Sequence, residues 1–93
     1  MLLLSIGAPS NITIGGYRPD NTSDVGSTLT CSAVAYPPAM YTWTDIESGR
    51  SVHGATFTLT ELGVRNVQCT ASNTIRGTAR YINMTKSVTV YGR

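Results

Sequence analysis

Charge is scarce in this chain. Asp, Glu, Lys and Arg make up 13% of its 93 residues, about half of the roughly 25% usual in globular domains. Helical periodicity is missing as well: no window places apolar residues at three- and four-residue spacing behind a capping residue. His53 is the only histidine, and a zinc site or a nucleophile–base set needs more partners than that. The residue therefore reads as surface. The seven Lys and Arg are scattered, without the dense stripe and interleaved aromatics of a nucleic-acid surface. Gly15-Gly16 matches no phosphate-loop pattern. No stretch approaches the ~20 apolar residues that span a bilayer. Met1-Leu2-Leu3-Leu4-Ser5-Ile6 lacks the basic start and the apolar length of a secretory leader. It reads as the start of a first strand, and any membrane attachment is expected from segments outside this chain. Neither an enzyme nor a cofactor-binding protein is expected.

What is present is a succession of short β-rich runs separated by turn clusters. A first edge strand is expected over Leu2 to Ile14, broken by Pro9, followed by a loop from Gly15 to Asp24. Val25 to Ala33 alternates, with Leu29, Cys31 and Ala33 on one face and Thr28, Thr30 and Ser32 on the other. Tyr36-Pro37-Pro38-Ala39 reads as a loop, because paired prolines cannot continue a ladder. Met40 to Asp45 follows, with Tyr41 and Trp43 on one side. After a turn at Glu47 to Arg50 come a brief strand at Ser51 to His53 and a run from Ala55 to Leu62 carrying Phe57 and Leu59 inward. Val64 to Ser72 points Val67, Cys69 and Ala71 inward, Asn73 to Gly77 turns, and Thr78 to Tyr91 is the last strand. Ile82, Met84, Val88 and Val90 share a face there, and Lys86 interrupts it as a bulge or a snorkelling stem. About seven strands at this spacing, in one domain over residues 1–93, predict an all-β antiparallel sandwich.

Two cysteines are free thiols in a reducing compartment and a pair in an oxidising one. Cys31, Trp43 and Cys69 fall on inward faces of three different strands. In a two-sheet sandwich, cysteines from opposite sheets meet across the core and a Trp packs on the bridge. Three Asn-x-Ser/Thr sequons, at Asn11, Asn21 and Asn83, add support for N-linked glycans and an extracellular setting.

At these residues the chain resembles the immunoglobulin superfamily, closest to its intermediate and short constant-type sets. The matching pieces are Val25 to Ala33, Tyr36 to Trp43, Phe57 to Leu62 and Val67 to Asn73, which look like strands B, C, E and F, with Thr78 to Tyr91 like strand G. The resemblance implies an immunoglobulin-like Greek-key sandwich excised from a larger extracellular protein. Its implied role is a recognition module of a cell-surface adhesion or immune-type receptor that binds a protein partner, homophilic or heterophilic. A secreted recognition protein and an intracellular structural domain of a muscle-filament protein are the alternatives. The chain departs from the family at Val67, where a Tyr usually stands, so the tyrosine-corner hydrogen bond is lost. Gly63 or Asn66 is then expected at positive φ in the preceding turn.

Other acidic residues read blandly. Asp20, Asn21 and Asp24 do not match a calcium loop, and Asp45 and Glu47 read as solvated turn acids rather than catalytic ones. For the partner, the loops Ala35–Met40 and Asn73–Gly77 are expected to converge at one end. They offer Tyr36, Pro38, Met40, Ile75 and Arg76, an apolar and Arg mixture that interface cores favour. Strand A′ near Asn11 is expected beside strand G, so glycans at Asn11 and Asn83 would shield that side. Tyr81 is a further exposed aromatic.

Overall fold

A computed structural model describes residues 6–92. Among them are eight strands: β1 (Gly7–Gly15), β2 (Thr22–Asp24), β3 (Thr28–Tyr36), β4 (Met40–Asp45), β5 (Ser51–His53), β6 (Thr56–Thr58), β7 (Gly63–Ile75) and β8 (Thr78–Tyr91). They form two sheets, ordered β1-β3-β6 and β2-β8-β7-β4-β5. Every pairing is antiparallel except β2 with β8.

Alternation drives the assembly. On β3 Leu29 and Cys31 are buried while Thr28, Thr30 and Ser32 are exposed. On β7 Val67, Cys69, Ala71 and Asn73 are buried in strict alternation. One cluster joins the inner faces: Ile14, Leu29, Cys31 and Phe57 from one side, with Trp43, Val67, Cys69, Val88 and Val90 from the other. The Cys31–Cys69 disulfide crosses between the sheets, with a Cα–Cα distance of 6.5 Å. Trp43 stands in register beside Cys69 on the neighbouring strand, has no exposed surface and stacks on Phe57 at 5.7 Å. Its indole N–H donates to the Ala55 carbonyl at 3.0 Å, and the same carbonyl accepts the Cys31 backbone N–H at 2.8 Å.

The structure corrects several boundaries. Pro9 does not interrupt the first strand: it is buried within β1, which runs from Gly7 to Gly15. The irregularity falls between Gly7 and Thr13, where the register with β3 shifts and Asn11 takes φ 53°. Residues 2–5 of the expected strand lie outside the described residues. The loop expected to reach Asp24 contains β2. The strand carrying Asn11 does not pair with the last strand: β1 pairs with β3, and the short parallel partner of β8 is β2. Lys86 marks no bulge, since β7 and β8 pair without a register break from Gly63↔Val90 to Ile75↔Thr78. Its stem lies on the inner face, and its ammonium sits 4.4 Å from the Tyr17 ring centroid, a cation–π contact. Of the two positions expected at positive φ, Gly63, the first residue of β7, takes φ 93° and Asn66 does not take a positive value.

A different tyrosine serves as a brace. The Ala33 N–H donates to the Tyr41 hydroxyl at 3.0 Å, and that hydroxyl lies 3.4 Å from the Ala33 carbonyl. β6 pairs only with Thr28 to Thr30, so the upper part of β3 lacks a ladder partner on that side and Tyr41, from the other sheet, supplies one. Gly16 is required where it stands: its φ is 105°, and a Cβ there would collide with the Thr28 carbonyl oxygen.

The bridge spans 38 residues of sequence, for which the loop-entropy relation gives about 4 kcal/mol. Replacing Cys31 and Cys69 together by Ala should lower the unfolding free energy in denaturant titration by about that amount. A change below ~1 kcal/mol would show that core packing alone fixes the two sheets.

Candidate functional site

β7 and β8 meet in a two-residue turn, Arg76-Gly77, rather than over Asn73 to Gly77. Both residues have positive φ, 51° and 81°, the signature of a tight hairpin whose twist matches its strands. The hairpin projects past the core: Thr78, Ala79, Arg80 and Tyr81 are all exposed, on both faces of β8. Its root is fixed by Asn73. That side chain is buried, and its Nδ2 donates to the Pro37 carbonyl at 3.0 Å and to the Gly7 carbonyl at 2.9 Å. One amide thus ties β7, the loop between β3 and β4, and the start of β1.

The five residues read as a contact surface lie at this end, three of them in two separate recesses and Tyr36 and Pro38 outside both. Ile75 and Arg76 line a cleft of about 430 Å³ with Ile6, Thr78 and Arg80. Met40, 75% exposed, borders an open groove of about 440 Å³ with Ala39, Tyr41, His53 and Ser72. Tyr36 pairs with Gly7 at the end of β3 and is exposed, as is Pro38. Met40, Ser72 and Tyr81 form one cross-strand row on the outer face of the larger sheet. Tyr81 therefore belongs beside Met40, extending the surface. Arg80, which sequence reasoning passed over, reaches the first cleft. Its signal was its place two positions before Ile82 on the inward-facing series of β8.

The sequons point in three directions. Asn83 stands mid-sheet, opposite Thr70. Asn11 is exposed on β1. Asn21, with φ 65°, sits at the sheet edge, where its carbonyl accepts the Thr89 N–H at 2.9 Å. None is at the hairpin end.

The acids lie at the other end. Asp24 pairs with Arg18 at 3.0 Å. Asp45 is not solvated: it is 3% exposed, and its two carboxylate oxygens accept from Arg65 Nη2 at 2.9 and 2.8 Å. Glu47 accepts from the Asn66 backbone N–H at 3.0 Å and from Asn66 Nδ2 at 2.7 Å. These bonds hold its carboxyl below the usual glutamate range, with Arg65 adding to the effect. Thr22, donating to Asp20 at 2.6 Å, lowers the Asp20 carboxyl in the same way. Such pairs are structural clamps; no group of three His, Cys, Asp or Glu is placed to hold a metal among the described residues. No protein-family model, curated protein or solved structure matches this chain.

Two outcomes follow. Arg65→Leu leaves the buried Asp45 carboxylate uncompensated and should destabilise by about 3 kcal/mol, and Asp45→Leu added to it should recover most of that loss in a double-mutant cycle. For Glu47 the folded value is lowered, so the stability it contributes is present above the ordinary range near ~4.3 and is lost as pH falls through the lowered folded value. The melting temperature should therefore fall below roughly pH 4, and the acid limb should be shallower in Glu47→Gln. An unchanged limb in that variant would remove Glu47 from the account.

Proposed function

We propose that this chain is an immunoglobulin-like domain of an extracellular protein, acting as a recognition module of a cell-surface adhesion or immune-type receptor, with its hairpin end as the contact surface. Support for the family comes from strand placement. β3 and β6 share one sheet while β4, β7 and β8 share the other, with the disulfide between β3 and β7 and Trp43 against it, as B, E, C, F and G stand in that fold. A formed disulfide agrees with an extracellular or secreted setting and speaks against an intracellular filament domain, where thiols stay reduced.

One observation carries the assignment of the surface. Arg76 holds a left-handed backbone conformation that Asn or Gly adopts at lower cost. A residue kept against local preference at an exposed tip marks a side chain with work to do. Around it are Tyr36, Pro38, Met40, Ile75 and Tyr81, with no carboxylate, while sequon glycans would occupy the sheet face, the β1 side and the β8 edge. Recognition here is by shape, apolar contact and arginine, without catalysis or cofactor.

The test is a screen of the multimerised chain against an array of secreted ectodomains at nanomolar concentration. Arg76→Asn should raise stability by up to about 1 kcal/mol and yet weaken a specific hit; Tyr36→Ala or Met40→Ala should each weaken it by more than ~1 kcal/mol. Hits that tolerate all three changes but fail with Tyr81→Ala and Thr70→Ala would move the site to the sheet face.

A further inference from the structure

The chain is polar along its long axis. β7 runs from Gly63 at the base to Ile75 near the tip, roughly 40 Å at ~3.3 Å per residue. All five carboxylates, Asp20, Asp24, Asp45, Glu47 and Glu61, lie in the basal half, with three arginines, Arg18, Arg50 and Arg65. Each of those arginines is occupied: Arg18 with Asp24, Arg65 with Asp45, and Arg50 over the Phe57 ring at 4.7 Å with its Nη2 donating to the Thr58 carbonyl at 3.1 Å. The tip carries Arg76 and Arg80 and no acid. Among the described residues neither side chain has a hydrogen-bond or ion-pair partner, although both line the same cleft.

Each pole also has its own exposed apolar surface. At the tip, Ile6 is 55% exposed, beside the half-buried Ile75 in the cleft. At the base, Leu62 is 60% exposed, Val64 59%, Ile46 50% and Tyr91 54%. These residues sit on the same end of the sheet: Val64 pairs with Thr89 and Gly63 with Val90, Ile46 N–H donates to the Asn66 carbonyl, and Leu62 lies near Gly92. Glu61 and Glu47 flank them. Glu61 is exposed and makes no hydrogen bond among the described residues, and its charge acts at longer range on Arg65, whose guanidinium is held by Asp45.

We propose that the arginine cleft at the hairpin tip receives the Glu61–Leu62 corner at the base of a second copy of this chain, giving a weak head-to-tail contact. Both halves of the contact are present on one molecule: two arginines around a cleft that also presents Ile6 and Ile75 at one pole, and a carboxylate beside an exposed leucine at the other. The contact is heterologous, so it leaves a free tip and a free base and extends into short rows rather than closing a dimer. Its ion pairs are exposed, so it is weakened by salt. It rests on the hairpin end that the recognition reading assigns and puts a second copy there as partner; the screen above runs far below the concentrations at which rows form, so either can fail alone.

Sedimentation of the intact chain from about 10 μM to about 1 mM tests it. At low salt the weight-average mass should climb past that of a dimer, and 0.5 M NaCl should return it toward monomer. Arg76→Asp with Arg80→Glu should stay monomeric; Asp is chosen because it tolerates the left-handed turn position. Glu61→Arg should also stay monomeric. An equimolar mixture of the two variants should associate, since basic tips then meet acidic bases and acidic tips meet basic ones. Leu62→Ser should weaken association about tenfold without altering charge. The proposal is overturned if the wild-type chain is monomeric throughout, if either charge variant associates like wild type, or if the mixture stays monomeric. It is equally overturned if the tip retains an unrelated acidic peptide or a sulfated polysaccharide while showing no mass increase of its own.

Discussion

Everything in this chain hangs on the Ala55 carbonyl and the two groups that reach it. Trp43 is the largest buried side chain, and burying its indole N–H without a partner would cost more than most single contacts return. Ala55 supplies the acceptor at 3.0 Å, and the same oxygen takes the Cys31 N–H from the opposite sheet. The disulfide then fixes Cys31 to Cys69, which lies beside Trp43 on β7. The four groups form a closed circuit across the layers, which sets how the sheets face one another. Short strands are tolerable around such a circuit. β6 has only three residues, yet Phe57 and Leu59 are almost wholly buried, because their placement comes from the circuit and not from the length of the ladder.

A rigid core of this kind lets one element leave it. Past Asn73 the hairpin leaves the core, with Thr74 and Arg76 to Tyr81 exposed, and a two-stranded ribbon alone is marginal in water. Asn73 resolves this. Its amide donates to the carbonyls of Gly7, at the start of β1, and Pro37, in the loop after β3, so the root of the hairpin is held to both by polar bonds. The tip is consequently fixed in direction while its side chains remain in solvent.

The residues that were easiest to read in the sequence were those whose polarity agreed with their phase. Cys31, Trp43 and Cys69 are apolar on inward positions, and alternation placed them correctly. The misread residues had polarity opposed to phase. Asp45 follows Tyr41 and Trp43 at the same two-residue spacing, and Arg65 precedes Val67; both belong to the inward series, and the structure pairs them there. Asn73 continues Val67, Cys69 and Ala71, but an Asn a few residues ahead of Gly77 reads as turn. Lys86 lies between Met84 and Val88, and a Tyr17 ring beyond strand reach satisfies it. In each case the partner lies about 20 to 70 residues away in sequence, and no local pattern announces it. β2 is three residues of parallel pairing inside a stretch of Asn, Thr, Ser and Asp, a composition that favours turns.

The free edge of β8 shows why contacts at the poles are compatible with a soluble domain. β2 covers only Thr89 to Tyr91, so among the described residues most of this long strand has no hydrogen-bonded neighbour on its outer side. A flat, apolar edge of that length would template pairing with other chains. Here the strand carries Arg80 and Lys86, two of the chain's few cations, and the Asn83 sequon between them, and its outward face alternates Tyr81, Asn83, Thr85, Ser87 and Thr89. Charges on an edge disfavour the close, indefinite ladder that backbone pairing would allow. What such a strand leaves available is side-chain recognition at its ends, where the hairpin presents arginine and the base presents carboxylate. The scarcity of charge that first marked the sequence is thus a matter of placement: the faces are nearly neutral, and the charge is kept for the poles and the guarded edge.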